Sequence, residues 1–166
     1  MTEGQPSDTG FMTLPSRPVL VATKLHAPEP RPGLVLRTRL VSRLVEGADR
    51  KLTLICATAG WGKTVLLAQW QAAEAATRSF AWVQLDARDD DQVRLWNHVI
   101  GALRTIESNV GRESLAALPV AGQGIIDAVL APLLNELAAY TRRIVLVLDD
   151  YHFVRDRRIH DSVAYL

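Results

Sequence analysis

Apolar residues along this chain fall into blocks that alternate between short continuous runs and helical spacing. Leu52, Leu54, Ile55 and Cys56 form a short run that predicts a strand, and a helix is predicted from Lys63 to about Ala76 with Val65, Leu66, Leu67 and Trp70 available for burial. Phe80 to Leu85, aromatic and β-branched and ending at Asp86, predicts a second strand. Trp96, Val99, Ile100 and Leu103 share one face of a helix predicted over 92–106. The acidic run Asp89 to Asp91 suits its N-terminus, where carboxylates cap free N–H groups and complement the helix dipole. Ile126, Val129, Leu130, Leu133, Leu134 and Leu137 mark an amphipathic helix over 124–140, with Pro132 predicting a kink. Ile144 to Leu148 has no alternation, the pattern of a strand covered on both faces by helices in a parallel sheet.

The intervening text is less periodic. Residues 1–16 are rich in Gly, Pro, Ser and Thr and predict a mobile tail. Val19 to Leu36 reads as extended and is broken by Pro28, Pro30 and Pro32; Leu40, Val41 and Leu44 then predict a short helix over 39–46. Residues 107–122 predict a loop with at most a helical turn near Leu115, and a last helix is expected over 157–166. Strand, helix, strand, helix, loop, helix, strand is the order of an α/β fold.

Composition narrows the function. The 166 residues suit about one domain, and 48% apolar with 22% charged content excludes a mainly disordered or collagen-like chain. A net charge of +1 leaves no sequence-wide basic footprint for coating nucleic acid or lipid, so a polyanion must be held locally. The single cysteine, Cys56, cannot form an intrachain disulfide and sits in an apolar run, which predicts a buried thiol in an intracellular protein. No apolar stretch approaches the ~18 residues of a bilayer crossing, and the N-terminus lacks a secretory pattern. A cytoplasmic location and no membrane partner are expected.

The strongest chemical signal is Ala57-Thr58-Ala59-Gly60-Trp61-Gly62-Lys63-Thr64, close to the phosphate-binding pattern G-x-x-x-x-G-K-[ST] and set between a predicted strand and a predicted helix. A triphosphate is stabilised by backbone N–H groups and the dipole at a helix N-terminus, and Gly60 and Gly62 let the backbone approach it without a Cβ. Lys63 would supply a point charge between phosphates, and the Thr64 hydroxyl would ligate Mg²⁺. The pattern's first glycine is Ala57 here, which fits if its φ is negative. The plainer alternative is a glycine-rich turn with a surface lysine.

A second half-site follows the last predicted strand. Asp149 and Asp150 lie at its carboxyl end, where parallel sheets form ligand crevices. Asp149 would hold Mg²⁺ through water and Asp150 would orient or deprotonate an attacking water. Taken alone the pair is more commonly a solvated strand end with Asp capping the next turn, and it is the conjunction with the loop at 57–64 that favours chemistry.

These features come in ordered blocks. Thr23-Lys24-Leu25 through Pro28 with Leu36 to Leu40 and Arg43-Leu44, Ala59 to Thr64, Trp82 to Asp86 with Asp89 to Trp96, and Leu146 to His152 together resemble the nucleotide-binding module of the MalT-like large ATP-binding LuxR regulators, a branch of the STAND P-loop ATPases. The resemblance spans residues 23–152, and its Leu-Asp-Asp-Tyr-His ending is its most specific part. It implies a P-loop NTPase, a three-layer α/β/α fold with a parallel sheet, of which residues 17–166 would be the N-terminal portion. ATP and Mg²⁺ would be the cofactors. Lys63 and Asp150 would be catalytic, Ala59, Gly60, Trp61, Gly62, Lys63 and Thr64 would bind phosphates, and Thr64 and Asp149 would hold the metal. Val35, Leu36, Arg37 and Arg39 would lie against the adenine, although Arg37 and Arg39 read equally as solvated charges at a helix start. Trp61 and His152 match family positions and are expected to pack or hydrogen-bond.

In such regulators ATP binding favours an oligomerising active state, hydrolysis resets it, and a C-terminal helix-turn-helix binds promoters. The present text lacks the sensor strand, the repeat region and the helix-turn-helix, so a truncated module is expected, with weak ATP binding, little hydrolysis, no direct DNA contact and apolar strands with unpaired edges. Two other readings stand beside it. One is a small P-loop phosphotransferase, with only Arg112 as a lid candidate in 107–122. The other is a non-enzymatic fragment that associates with itself or with a full-length paralogue.

Overall fold

The computed structural model describes residues 19–29 and 33–166, and the predicted tail lies outside the described residues. Two strands, β1 (Arg78–Gln84) and β2 (Arg143–Asp149), pair in parallel with Arg78 opposite Arg143 and Gln84 opposite Asp149. Parallel strands cannot be joined by a tight turn. The crossover here runs through α3 (Gln92–Arg104), α4 (Arg112–Ala117) and α5 (Ala131–Ala138).

Alternation along the strands sorts side chains to two faces. Ala81, Val83, Ile144, Leu146 and Leu148 join the main core with α3 and α5, built around Trp96, Ile100, Leu130 and Leu133. Phe80 and Val145 point the other way, into a smaller cluster with Leu44 of α1 (Thr38–Glu46) and Leu66 and Trp70 of α2 (Lys63–Glu74). The result is mixed helix and sheet with helices on both faces of a small parallel sheet, compatible with the expected α/β class. The last helix, α6 (Arg157–Ala164), docks through Ile159 and through the buried Trp96 indole, whose Nε1 donates to Ser162 Oγ at 3.0 Å.

Three expectations are corrected. Residues 52–58 have no regular secondary structure and join no sheet, with Leu52 77% and Leu54 75% exposed. A strand is defined by its ladder, and among the described residues no segment pairs with 52–58 to complete one, although Ile55 packs against the smaller cluster. Cys56 is exposed for the same reason rather than buried. The segment 107–122 is more ordered than a loop: it contains α4, the buried Ser114 hydroxyl donates to Val129 O at 2.8 Å, and Gly111 N donates to Glu136 at 2.7 Å.

The helix expected over 124–140 is divided. A π-helical turn at Ile126–Leu130, in which Ala131 N–H donates to the Ile126 carbonyl, precedes α5. Pro132 has no N–H to give to the preceding turn, and the wider turn accommodates it.

The stretch before α1 carries a short 3-10 turn, Ala22–Leu25, in a region expected to be extended. A buried cluster ties it down. The Asp89 carboxylate meets Lys24, Arg94 Nε at 3.2 Å and His98 Nδ1 at 3.0 Å, and Val21 N–H donates to His98 Nε2 at 3.3 Å. Burial alone would push the Asp89 carboxyl upward, but hydrogen bonds from His98, Lys24 and the Asp86 N–H outweigh it and hold the group well below the usual carboxylate range. Among the described residues no helix is long and apolar enough to cross a membrane, and no cluster of three or more metal-ligating side chains occurs.

Candidate functional site

The 57–62 turn runs into α2 through Gly62, the N-cap, at φ 71° and ψ 39°. Gly60 also has a left-handed φ of 80°. Both positions require glycine, since a side chain at such angles is strained. Among the described residues Asp150 is the non-glycine residue in this region, so Ala57 carries a negative φ and fits where the sequence pattern has glycine.

Lys63 folds back over the turn it follows. Its Nζ donates to Ala57 O at 3.0 Å and Thr58 O at 3.3 Å, placing a half-buried cation over the turn at a helix N-terminus. Ala59, Gly60 and Trp61 form the turn itself, and the Trp61 indole stands in solvent.

The acidic side arises from strand alternation. Leu148 points to the α3 and α5 face, so Asp149, one residue on, points to the α2 face and towards the start of that helix. Asp149 is 3% exposed. Its Oδ1 accepts the Asp150 N–H at 3.1 Å, while Oδ2 is buried with no hydrogen-bond partner. Burial pushes this carboxyl above its ordinary range; the Thr64 hydroxyl and the Lys63 charge act in the opposite direction, and the Asp150 charge adds to the rise. Lys63, Thr64, Asp149 and Asp150 thus interact in one place.

Asp150 sits in the left-handed region at φ 57°, which turns the chain out of β2 and leaves its carboxylate partly exposed. His152 Nδ1 lies 3.7 Å from Asp150 Oδ1, and its ring stacks on Phe153 at 4.3 Å. Arg37 also reaches the turn, donating from Nη1 to Trp61 O at 2.7 Å. Arg39 points into solvent from α1, and Val35 and Leu36 are exposed beside Arg37.

Sequence reading missed Gln69. Its Oε1 accepts Arg37 N–H at 3.0 Å and its Nε2 donates to Val35 O at 3.0 Å, fixing the stretch before α1 along α2. The available signal was its seven-residue separation from Gly62, which puts both on one helical face.

A cationic glycine turn at the head of a helix, facing a buried and incompletely paired carboxylate at the end of a parallel strand, is the class of site this α/β chain presents. Over 147 residues the chain is 32% identical to the HTH-type transcriptional regulator MalT of Klebsiella pneumoniae, covering 89% of this chain and 16% of that protein. The same regulator of Serratia proteamaculans is 31% identical over 147 residues. The chain is therefore similar to MalT over most of its own length and spans about one sixth of the curated relatives it matches. No family profile matches it.

Proposed function

We propose that this chain is the ATP-binding switch module of a MalT-like transcriptional regulator, with a P-loop NTPase fold. The observation that carries the reading is the convergence of Lys63 and Thr64, at the head of α2, on Asp149 and its unpartnered Oδ2. A buried carboxylate oxygen without a partner is costly, and a hydrated divalent cation supplies the missing contact. The residues present therefore suit magnesium and a triphosphate.

In this reading the N–H groups of Ala59 to Thr64 and the Lys63 ammonium hold the phosphates, while Thr64 and Asp149 hold the metal ion. Bound there, Mg²⁺ would neutralise phosphate charge. Asp150, partly exposed beyond the strand end, would accept a proton from a water molecule. Arg39, Val35 and Leu36 would border the base, and Arg37, whose Nη1 donates to Trp61 O, would lie at the turn. Regulation of transcription belongs to the whole protein: the relatives named above carry HTH-type regulator in their names, and DNA contact is assigned to residues other than these.

The test is an equilibrium titration of the 166-residue chain with ATP and Mg²⁺ beside Lys63→Met. Removing one charge-assisted contact should weaken binding about 10- to 100-fold. Equal affinities, or no saturable binding by either chain, would overturn the proposal.

A second reading has its own support. Leu52 and Leu54 are exposed on a segment that joins no sheet, and β2 is paired on one edge only. Such edges favour pairing with another chain. Under this reading the chain associates with itself or with a full-length paralogue, and co-elution that is indifferent to ATP would favour it over the switch.

A further inference from the structure

The Gln69 carboxamide occupies an unusual position. Val35 C=O and Arg37 N–H lie two residues apart in the irregular stretch that leads into α1, and some partner must satisfy both. Here one side chain does so, with Oε1 accepting from Arg37 at 3.0 Å and Nε2 donating to Val35 at 3.0 Å. A carboxamide offers a donor and an acceptor side by side without any change of protonation, and glutamine is long enough to reach from the α2 backbone.

Gln69 lies two turns, roughly 10 Å, along α2 from Gly62 and on the same face. With its main chain held at Gln69, Arg37 extends its side chain along the helix to the turn. Its Nη1 donates to Trp61 O at 2.7 Å, and its Nη2 stands 2.9 Å from where a Cβ on Gly62 would be. The guanidinium thus lies over the N-cap of α2, adding a second cation beside Lys63. Two of its five N–H donors at most can meet the Trp61 carbonyl, so others are free to meet an anion.

We infer that Gln69 is a positioning residue that sets Arg37 on the phosphate turn, so that the stretch before α1 senses the phosphates of the bound nucleotide. The inference rests on the phosphate-binding reading above. It assigns Arg37 to the phosphate end of the ligand rather than to the base, and makes Gln69 the link through which phosphate occupancy is felt at residues 35–37.

Gln69→Met keeps the length and removes both hydrogen bonds; Gln69→Glu keeps the acceptor and sets a carboxylate against the Val35 carbonyl. The assay titrates Mg·ATP into the full chain, the two Gln69 variants, Arg37→Ala, and the double variant Arg37→Ala with Gln69→Met. Amide exchange at Arg37 is followed in the nucleotide-free chain, with thermal melting as a control. Each Gln69 variant should weaken ATP about tenfold, Arg37→Ala should do at least as much, and the double variant should match Arg37→Ala alone, because Gln69 acts through Arg37. The Arg37 N–H should be protected in the parent chain and exchange faster in Gln69→Met, which removes its acceptor, before any nucleotide is added.

Parent-like affinity in both variants, or additive losses in the double variant, would refute the positioning role. The phosphate reading would survive either result if Lys63→Met still weakened binding to the extent given above. Loss of saturable binding by the parent chain would instead remove the phosphate reading and this inference with it.

Discussion

Replacing Asp149 with asparagine should stabilise the nucleotide-free chain while weakening its binding of magnesium nucleotide. The carboxylate is 3% exposed, Oδ1 has one N–H partner at 3.1 Å, and Oδ2 has none. Leaving a buried polar group unpaired costs about 1–3 kcal/mol, and more when it is charged. The Thr64 hydroxyl and Lys63 ammonium offset part of that cost. Asparagine keeps the Oδ1 acceptor and the shape and discards the charge, so a gain of about 1–2 kcal/mol is expected. At about 2–4 °C per kcal/mol for a domain of this size, Tm should rise by about 2–8 °C.

The gain should depend on pH in a defined direction. The folded carboxyl titrates above its ordinary value of 3.8. Between that value and the raised one the folded chain keeps a proton that the unfolded chain has released, so the parent's stability falls as pH climbs through the window. The asparagine variant lacks this fall. Its advantage should therefore be full at pH 7.5 and disappear towards pH 3.8. Thermal melts across this range, with Mg·ATP titrations at neutral pH, measure both effects. An unchanged or lower Tm at neutral pH would mean that the carboxylate is already satisfied, and the basis for a metal at Asp149 would be gone.

Asp89→Asn should act in the opposite direction. Removing one member of the buried cluster with Lys24, Arg94 and His98 strands the others, at a cost of about 3–5 kcal/mol by urea denaturation; a loss under about 1 kcal/mol would refute that role. Because its folded carboxyl is held below the usual range, its contribution is present above about pH 4 and is lost as pH falls further, so the parent should lose stability on acidification more steeply than the variant. Leu54→Lys, at a position 75% exposed, should change stability by less than about 0.5 kcal/mol and reduce aggregation seen by light scattering; a loss above about 1 kcal/mol would show that 52–58 is packed in solution.

What could be read in advance follows from which interactions are local. α2, α3, β1 and β2 announce themselves because their apolar spacing and caps lie within each segment, as with Asp91 accepting from Arg94 N at 2.8 Å. The 52–56 run looks equally like a strand, but its state depends on a neighbour that no local pattern contains. Cys56 was misread by the same inference.

Pro132 signalled a disturbance without revealing that a wider turn would absorb it upstream. At the site, the glycine turn and acid pair were legible as types and spacings. The placing of Asp149 on the α2 face follows from strand alternation once the strand's end is known. Gln69 and the Asp89 cluster depend on contacts between segments tens of residues apart, for which one sequence carries little signal.

The central claim is that one triphosphate with its metal ion lies between the turn before Thr64 and the carboxylate after Leu148. Substituting paramagnetic Mn²⁺ for Mg²⁺ in the ATP complex and recording backbone amide spectra tests this most directly. Amide signals of Gly62 to Thr64 and of Asp149 and Asp150 should broaden together, and the effect should vanish in Lys63→Met. Broadening confined to one of the two segments, or centred elsewhere, would contradict the claim.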